Sequence, residues 1–198
     1  GELKQLAHYG SKLATRANSI NTTSISEFRK KYLLELSKVS NGKPFVTDKM
    51  PQNFRFIPLI CAALPEAKII HVQRNATATC WSNYKHYFVS KDLGYCYNLR
   101  DVVAYYKFYS DIMKFWKLYY GHQIYDLEYE KITTDQETQT RKLINHFELN
   151  WQDACLSPQN NKRSVRTASQ QQVREKVYQG SSEAWQKYEP YLGGIFDS

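Results

Sequence analysis

Cysteine is sparse in this 198-residue chain, and its four positions, 61, 80, 96 and 155, contain no Cys-x-x-Cys pair. A structural zinc site is therefore not expected, nor is the dense disulfide framework of a small secreted scaffold. Buried reduced thiols are the simpler assignment. Long apolar runs are missing as well. The longest, around Phe56 to Leu64, is interrupted by Pro58 and falls far short of the roughly 20 residues that span a bilayer. With no signal peptide visible, a cytoplasmic protein is expected. Glycine is limited to eight residues, and nowhere does a glycine-rich loop bearing Lys or Arg precede a helix. No loop of phosphate-cradling backbone amides can be read from the chain. Internal repeats, low-complexity tracts and a second set of domain signals are absent too, which leaves one domain over 1–198.

What the chain does carry is apolar and basic. Apolar residues at 42% and aromatics at 15%, with 16 tyrosines, argue against disorder. The formal charge of +8 suggests an acidic partner: nucleic acid, an anionic membrane surface, or a highly phosphorylated small molecule. The densest basic cluster, Lys162, Arg163 and Arg166, is too short for a nucleic-acid arm, and no reading helix or aromatic platform motif accompanies it.

Periodicity predicts a first helix around 4–17. A capping box at Ser24 to Glu27 opens a second helix, which keeps Ile25, Phe28, Tyr32, Leu36 and Val39 on one face until Asn41-Gly42. Strands are expected at 44–47, 68–72 and 123–127. Helices are expected at about 53–64, kinked by Pro58, at 101–119 behind an Asp101 cap, and at 135–147. Ser182 to Trp185 starts a last short helix, and 158–166 is the expected mobile loop. Strands that alternate with helices imply parallel β-α units, hence an α/β fold.

The stretch from Pro65 to Ser90 organises the rest. A β-branched strand runs into Arg74, and Asn75 is a good N-cap for the following helix. On that helix Asn75, Thr79, Ser82 and His86 form a polar stripe, and Trp81, Tyr84 and Phe88 an apolar one suited to packing on the sheet. Ligands of open α/β sheets bind beyond the carboxyl ends of the strands, where helix N-termini attract anions. Arg74 with Ser82 therefore fits a phosphate clamp. The same pattern fits a surface arginine beside a solvated helix face.

At these residues the chain resembles a known family. Arg74 and Ser82 after Lys-Ile-Ile-His-Val-Gln look like the 3′-phosphate-binding motif of sulfotransferases that use 3′-phosphoadenosine 5′-phosphosulfate. The resemblance extends to Val46-Thr47-Asp48-Lys49-Met50-Pro51, to Tyr129-Glu130, and to Arg166-Thr167-Ala168-Ser169-Gln170-Gln171-Gln172-Val173-Arg174. It is strongest to bacterial sulfotransferase domains of the tetratricopeptide-repeat-associated type, which are similar to protein-tyrosine sulfotransferases.

The resemblance implies a P-loop-like three-layer α/β fold with a small parallel sheet flanked by helices. It also implies transfer of a sulfuryl group to a hydroxyl or amine acceptor without a metal. In that scheme Arg74 and Ser82 hold the 3′-phosphate, Tyr129 borders adenine, and Arg166 and Arg174 can neutralise phosphate. Lys49 and Ser169 stabilise charge on the moving group. His86 stands where tyrosine sulfotransferases carry a further arginine, which leaves Lys85 or another base to complete the clamp. Glu2 matches the family's catalytic glutamate, with His8 as a second choice of base. By pattern alone, Lys49 also fits a surface lysine beside a turn, Ser169 a polar loop, and Tyr129 packing at the edge of the core.

The family begins with a strand and a loop that cradles the 5′-phosphosulfate, whereas Gly1-Glu2-Leu3 resembles the segment just downstream of them. An N-terminally truncated domain is expected, lacking that strand and loop and with little turnover alone. A second copy of the chain, or a relocated segment of it, would cover the exposed sheet edge. A non-catalytic remnant, acting as a nucleotide-binding or structural module, is the alternative.

Overall fold

The computed structural model describes residues 3, 5–15, 20–162 and 172–196. They fall into two compact units, one of Gly1–Ile69 with Tyr109–Ile124, the other of Ile70–Phe108 with Tyr125–Ser198. The architecture is mixed α/β, with a two-stranded parallel sheet flanked by helices.

The first unit is helical. Helix α1 (Gln5–Ala14) and α2 (Thr22–Ser40) are followed by a 3-10 helix (Pro51–Phe56) and α3 (Ile57–Ala63). The capping box of α2 lies one turn before the expected Ser24–Glu27. Asn21 accepts from the Ser24 amide while the Ser24 hydroxyl accepts from the Asn21 amide. Asn can play the role assigned to Ser or Thr because its side-chain oxygen reaches the same free amide. The stop is where expected: Asn41 and Gly42 take φ 49 and 72, the left-handed pair that ends many helices.

Pro58 does not kink a long helix. It sits at the start of α3, where its missing N–H costs nothing, and Pro51 starts the 3-10 turn in the same way. Leu6, Phe28, Tyr32, Phe56, Ala63 and Leu64 form one buried cluster, and Ile57, Met113 and Ile124 a second. Residues 44–47, expected as a strand, belong to no β-ladder, and Phe45 is 71% exposed. A strand exists only through its ladder partner, and the described residues form a single two-stranded sheet.

Asp48 anchors this unit. Its Oδ1 accepts from the Leu3 amide at 2.9 Å and its Oδ2 from the Tyr32 hydroxyl at 2.8 Å. Burial first, then the bond to Asp48 and its charge, push the Tyr32 phenol above its ordinary value. Asp48→Ala would leave that hydroxyl buried without its partner, costing about 1–3 kcal/mol, and Asp48→Asn less. Urea midpoints of the two variants test this.

All of the sheet but Ile69 and Ile124 lies in the second unit. Strand β1 (Ile69–Gln73), helix α4 (Ala76–Tyr84), a 3-10 helix (Lys91–Tyr97) and α5 (Leu99–Tyr120) lead to β2 (Ile124–Glu128), α6 (Tyr129–Thr134) and α7 (Gln136–His146). The helical crossover is what makes adjacent strands parallel. His71 Nδ1 lies 2.8 Å from Asp126 Oδ1 across the two strands, and Gln73 donates to the same oxygen.

Three local expectations change in this unit. The α5 start is capped by Asn98, which accepts from the Arg100 amide at 2.9 Å, rather than by Asp101. Helix α4 buries the smaller Ala78 and Cys80 and ends at Tyr84, so the Trp81–Tyr84–Phe88 stripe is not its packed face. Strand β1 is not buried on both sides, because Ile70 and Val72 are 43% and 56% exposed. Successive strand residues point to opposite faces, and this pair shares the uncovered one. All four cysteines are free thiols, and burial pushes Cys80 up to about 11. No helix among the described residues is long and apolar enough to cross a membrane.

Candidate functional site

Arg74 is the first residue after β1, and Tyr129 the first after β2. The strands are adjacent and parallel, so their carboxyl ends lie at one edge, about 5 Å apart. The guanidinium of Arg74 accordingly rests 5.1 Å from the centroid of the Tyr129 ring, within cation–π range.

Each residue is also held from the C-terminal segment. Arg74 Nε donates to Ser182 Oγ at 3.2 Å and Nη2 to the Ser181 carbonyl at 2.5 Å. The Tyr129 hydroxyl meets Ser181 Oγ at 2.8 Å. Glu130 closes the network, its Oε1 accepting from Ser182 Oγ at 2.6 Å and from the Asn75 amide at 3.0 Å. Asn75 caps α4 as expected, accepting from the Ala78 amide at 2.9 Å.

Burial acts most strongly on Glu130 and raises it. The hydrogen bonds from Ser182, Asn75 and its own backbone, with the charge of Arg74, outweigh that, and the carboxyl titrates below its ordinary value. Its contribution to stability is therefore present above the unfolded glutamate value and lost as pH falls through the lower folded one. Thermal midpoints of the unchanged chain should fall more steeply on acidification than those of Glu130→Gln.

The guanidinium keeps capacity for a ligand. Two of its five N–H groups are engaged, and the others have no partner among the described residues. Ser82, half-buried on α4, makes no side-chain hydrogen bond among the described residues. It lies six residues along the helix from Ala76, a rise of about 9 Å. Open donors at a strand end and an uncommitted hydroxyl on the next helix suit a phosphate ester.

The other sequence candidates are spread more widely. His86 is exposed, lies beyond the end of α4, and packs against Phe88 at 4.8 Å between ring centroids. Arg174 ends an exposed 3-10 turn, Gln172–Arg174. Lys49 is exposed in the other unit, between Asp48 and Met50, the N-cap of the Pro51–Phe56 turn. Leu3, the neighbour of Glu2, is tied to Asp48, the neighbour of Lys49. Glu2, Arg166 and Ser169 lie outside the described residues. Sequence reasoning took Ser182 only as the start of a short helix, where the chain instead makes a turn ahead of the 3-10 helix Gln186–Tyr191. It did not single out Ser181, and it took Glu130 only as part of a matching pair. Consecutive hydroxyls after Gly180 were the one local signal.

Residues 7–153 match the model of the Sulfotransferase family. The chain belongs to the sulfotransferase family. The match takes in Arg74, Ser82, Tyr129 and Glu130 and ends before the serine pair. This sulfotransferase-family chain is also similar to a protein of Aquifex aeolicus (strain VF5), named there as an uncharacterized protein. The two are 36% identical over 168 residues, 84% of this chain. The chain spans 22% of that relative's length.

Proposed function

We propose that the chain binds 3′-phosphoadenosine 5′-phosphosulfate by its 3′-phosphate, as part of an enzyme that moves the sulfuryl group to a hydroxyl or amine acceptor. One observation carries this reading: Arg74 leaves β1 beside Tyr129 with guanidinium N–H groups uncommitted to any described residue. Membership of the sulfotransferase family supports it.

In this scheme Arg74 and Ser82 grip the 3′-phosphate and Tyr129 borders adenine. Arg166, Arg174 and His86 supply further positive charge or hydrogen bonds to the phosphates. The donor, when bound, supplies an activated sulfuryl group. Lys49 and Ser169 stabilise negative charge on that group, an electrostatic role that needs fixed donors rather than a metal. Glu2 takes the proton of the acceptor hydroxyl or amine.

Calorimetry tests the reading. Adenosine 3′,5′-bisphosphate should bind at least about tenfold more tightly than adenosine 5′-monophosphate, the difference expected for one charge-assisted contact. Equal affinities would remove the 3′-phosphate from the account. Binding without sulfuryl transfer to any acceptor would favour a nucleotide-binding module.

A further inference from the structure

The serine pair 181–182 lies beyond the residues matched to the family and carries none of the roles just proposed, yet it holds two of the residues proposed to contact the nucleotide, Arg74 and Tyr129. Gly180 precedes it at φ 86, a backbone conformation that favours glycine. Ser181 gives its carbonyl to Arg74 and its hydroxyl to Tyr129. Ser182 accepts from Arg74 Nε and donates to Glu130. A serine hydroxyl has a single proton. Spending it on Glu130 leaves the oxygen free to accept from the guanidinium. The carboxylate is fixed in turn by the Asn75 amide on the same oxygen.

We propose that Ser181, Ser182 and Glu130 are positioning residues that set the pose of Arg74 and Tyr129, which makes the C-terminal serine pair part of the nucleotide site. Arginine has many rotamers, and a side chain already held in its binding pose gives up less freedom when the ligand arrives. The pair also fixes Tyr129 at its hydroxyl end, while the guanidinium covers its ring. The ligand half of this inference rests on the nucleotide reading above; the geometric half does not.

The test has two arms on the full chain, with circular dichroism confirming that each variant is folded. Without ligand, nitrogen-15 NMR follows exchange of the Arg74 Nε proton with water. Ser182→Ala and Glu130→Ala should speed it about tenfold, the loss expected of one charge-assisted hydrogen bond. Glu130→Gln retains an acceptor oxygen for both donors and should leave it slow. With adenosine 3′,5′-bisphosphate, calorimetry should show Ser182→Ala and Glu130→Ala weakened about tenfold, and Glu130→Gln within about twofold of the unchanged chain. A purely structural role for Glu130 would not separate Gln from Ala in this way.

Unchanged Arg74 exchange in Ser182→Ala and Glu130→Ala overturns the proposal. So does full affinity in those variants when Arg74→Ala binds poorly. If exchange responds as expected but the unchanged chain takes up no bisphosphate, the nucleotide reading fails and the positioning of Arg74 stands.

Discussion

Replacing Arg74 by alanine should weaken binding of adenosine 3′,5′-bisphosphate at least about a hundredfold, or about 3 kcal/mol. A guanidinium donates two parallel charge-assisted bonds to a phosphate, and alanine supplies neither the donors nor the charge. Arg74→Lys should recover only part of the loss, because an ammonium is a point charge without the planar fork. The substitution also acts inside the protein. It strips the Ser181 carbonyl and Ser182 hydroxyl of a donor and leaves Glu130 without its nearby positive charge. Thermal midpoints measured beside the calorimetry separate that structural cost from the ligand contact. Full affinity in a folded Arg74→Ala chain would end the assignment of the 3′-phosphate to this strand end.

Gly10→Val should destabilise the 198-residue chain by about 3 kcal/mol and lower its thermal midpoint by roughly 6–12 °C. Helix propensity alone points the other way for the smallest change, since alanine is favoured over glycine in a helix by about 1 kcal/mol. Packing decides the sign. A Cβ at Gly10 would lie 2.5 Å from Phe56 Cδ1 and 2.6 Å from Cε1. Phe56 belongs to the buried cluster with Leu6 and Phe28, so its ring cannot swing into solvent. Valine adds two methyls to that clash, and its branched Cβ stiffens the side chain further. Shrinking the partner in Gly10→Val/Phe56→Leu should restore part of the stability, a coupling expected only of residues in contact. Equal midpoints for Gly10→Val and the unchanged chain would show that the two helices do not pack as described.

Local features were the legible ones. Asn41-Gly42 stops α2 because only the backbone preferences of those two residues are needed to end a helix. Asn75 caps α4 by a bond spanning three residues. Strands β1 and β2 fall within one residue of their expected limits, since β-branched and aromatic runs bounded by turn residues declare themselves. Residues 44–47 failed as a strand although their composition suits one, because the ladder that would define it is not a local property. Pro58 was read as a kink because periodicity ran through it. The break into a 3-10 turn and α3 shows proline in its ordinary place at a helix start.

The candidate site divides along the same line. From the chain alone one can place Arg74 and Tyr129 at strand ends and Ser82 two turns into the following helix, because each placement depends on a few neighbouring residues. That the two strands are adjacent and parallel, so that the guanidinium lies on the tyrosine ring, follows from strand order and the helical crossover. The return of the C-terminal segment is more distant still. Ser181 and Ser182 reach Arg74 across 107 and 108 residues, a separation over which propensity and periodicity carry no information. Short-range backbone chemistry thus determined where the reactive side chains leave the sheet, and long-range packing alone decided which partners hold them there.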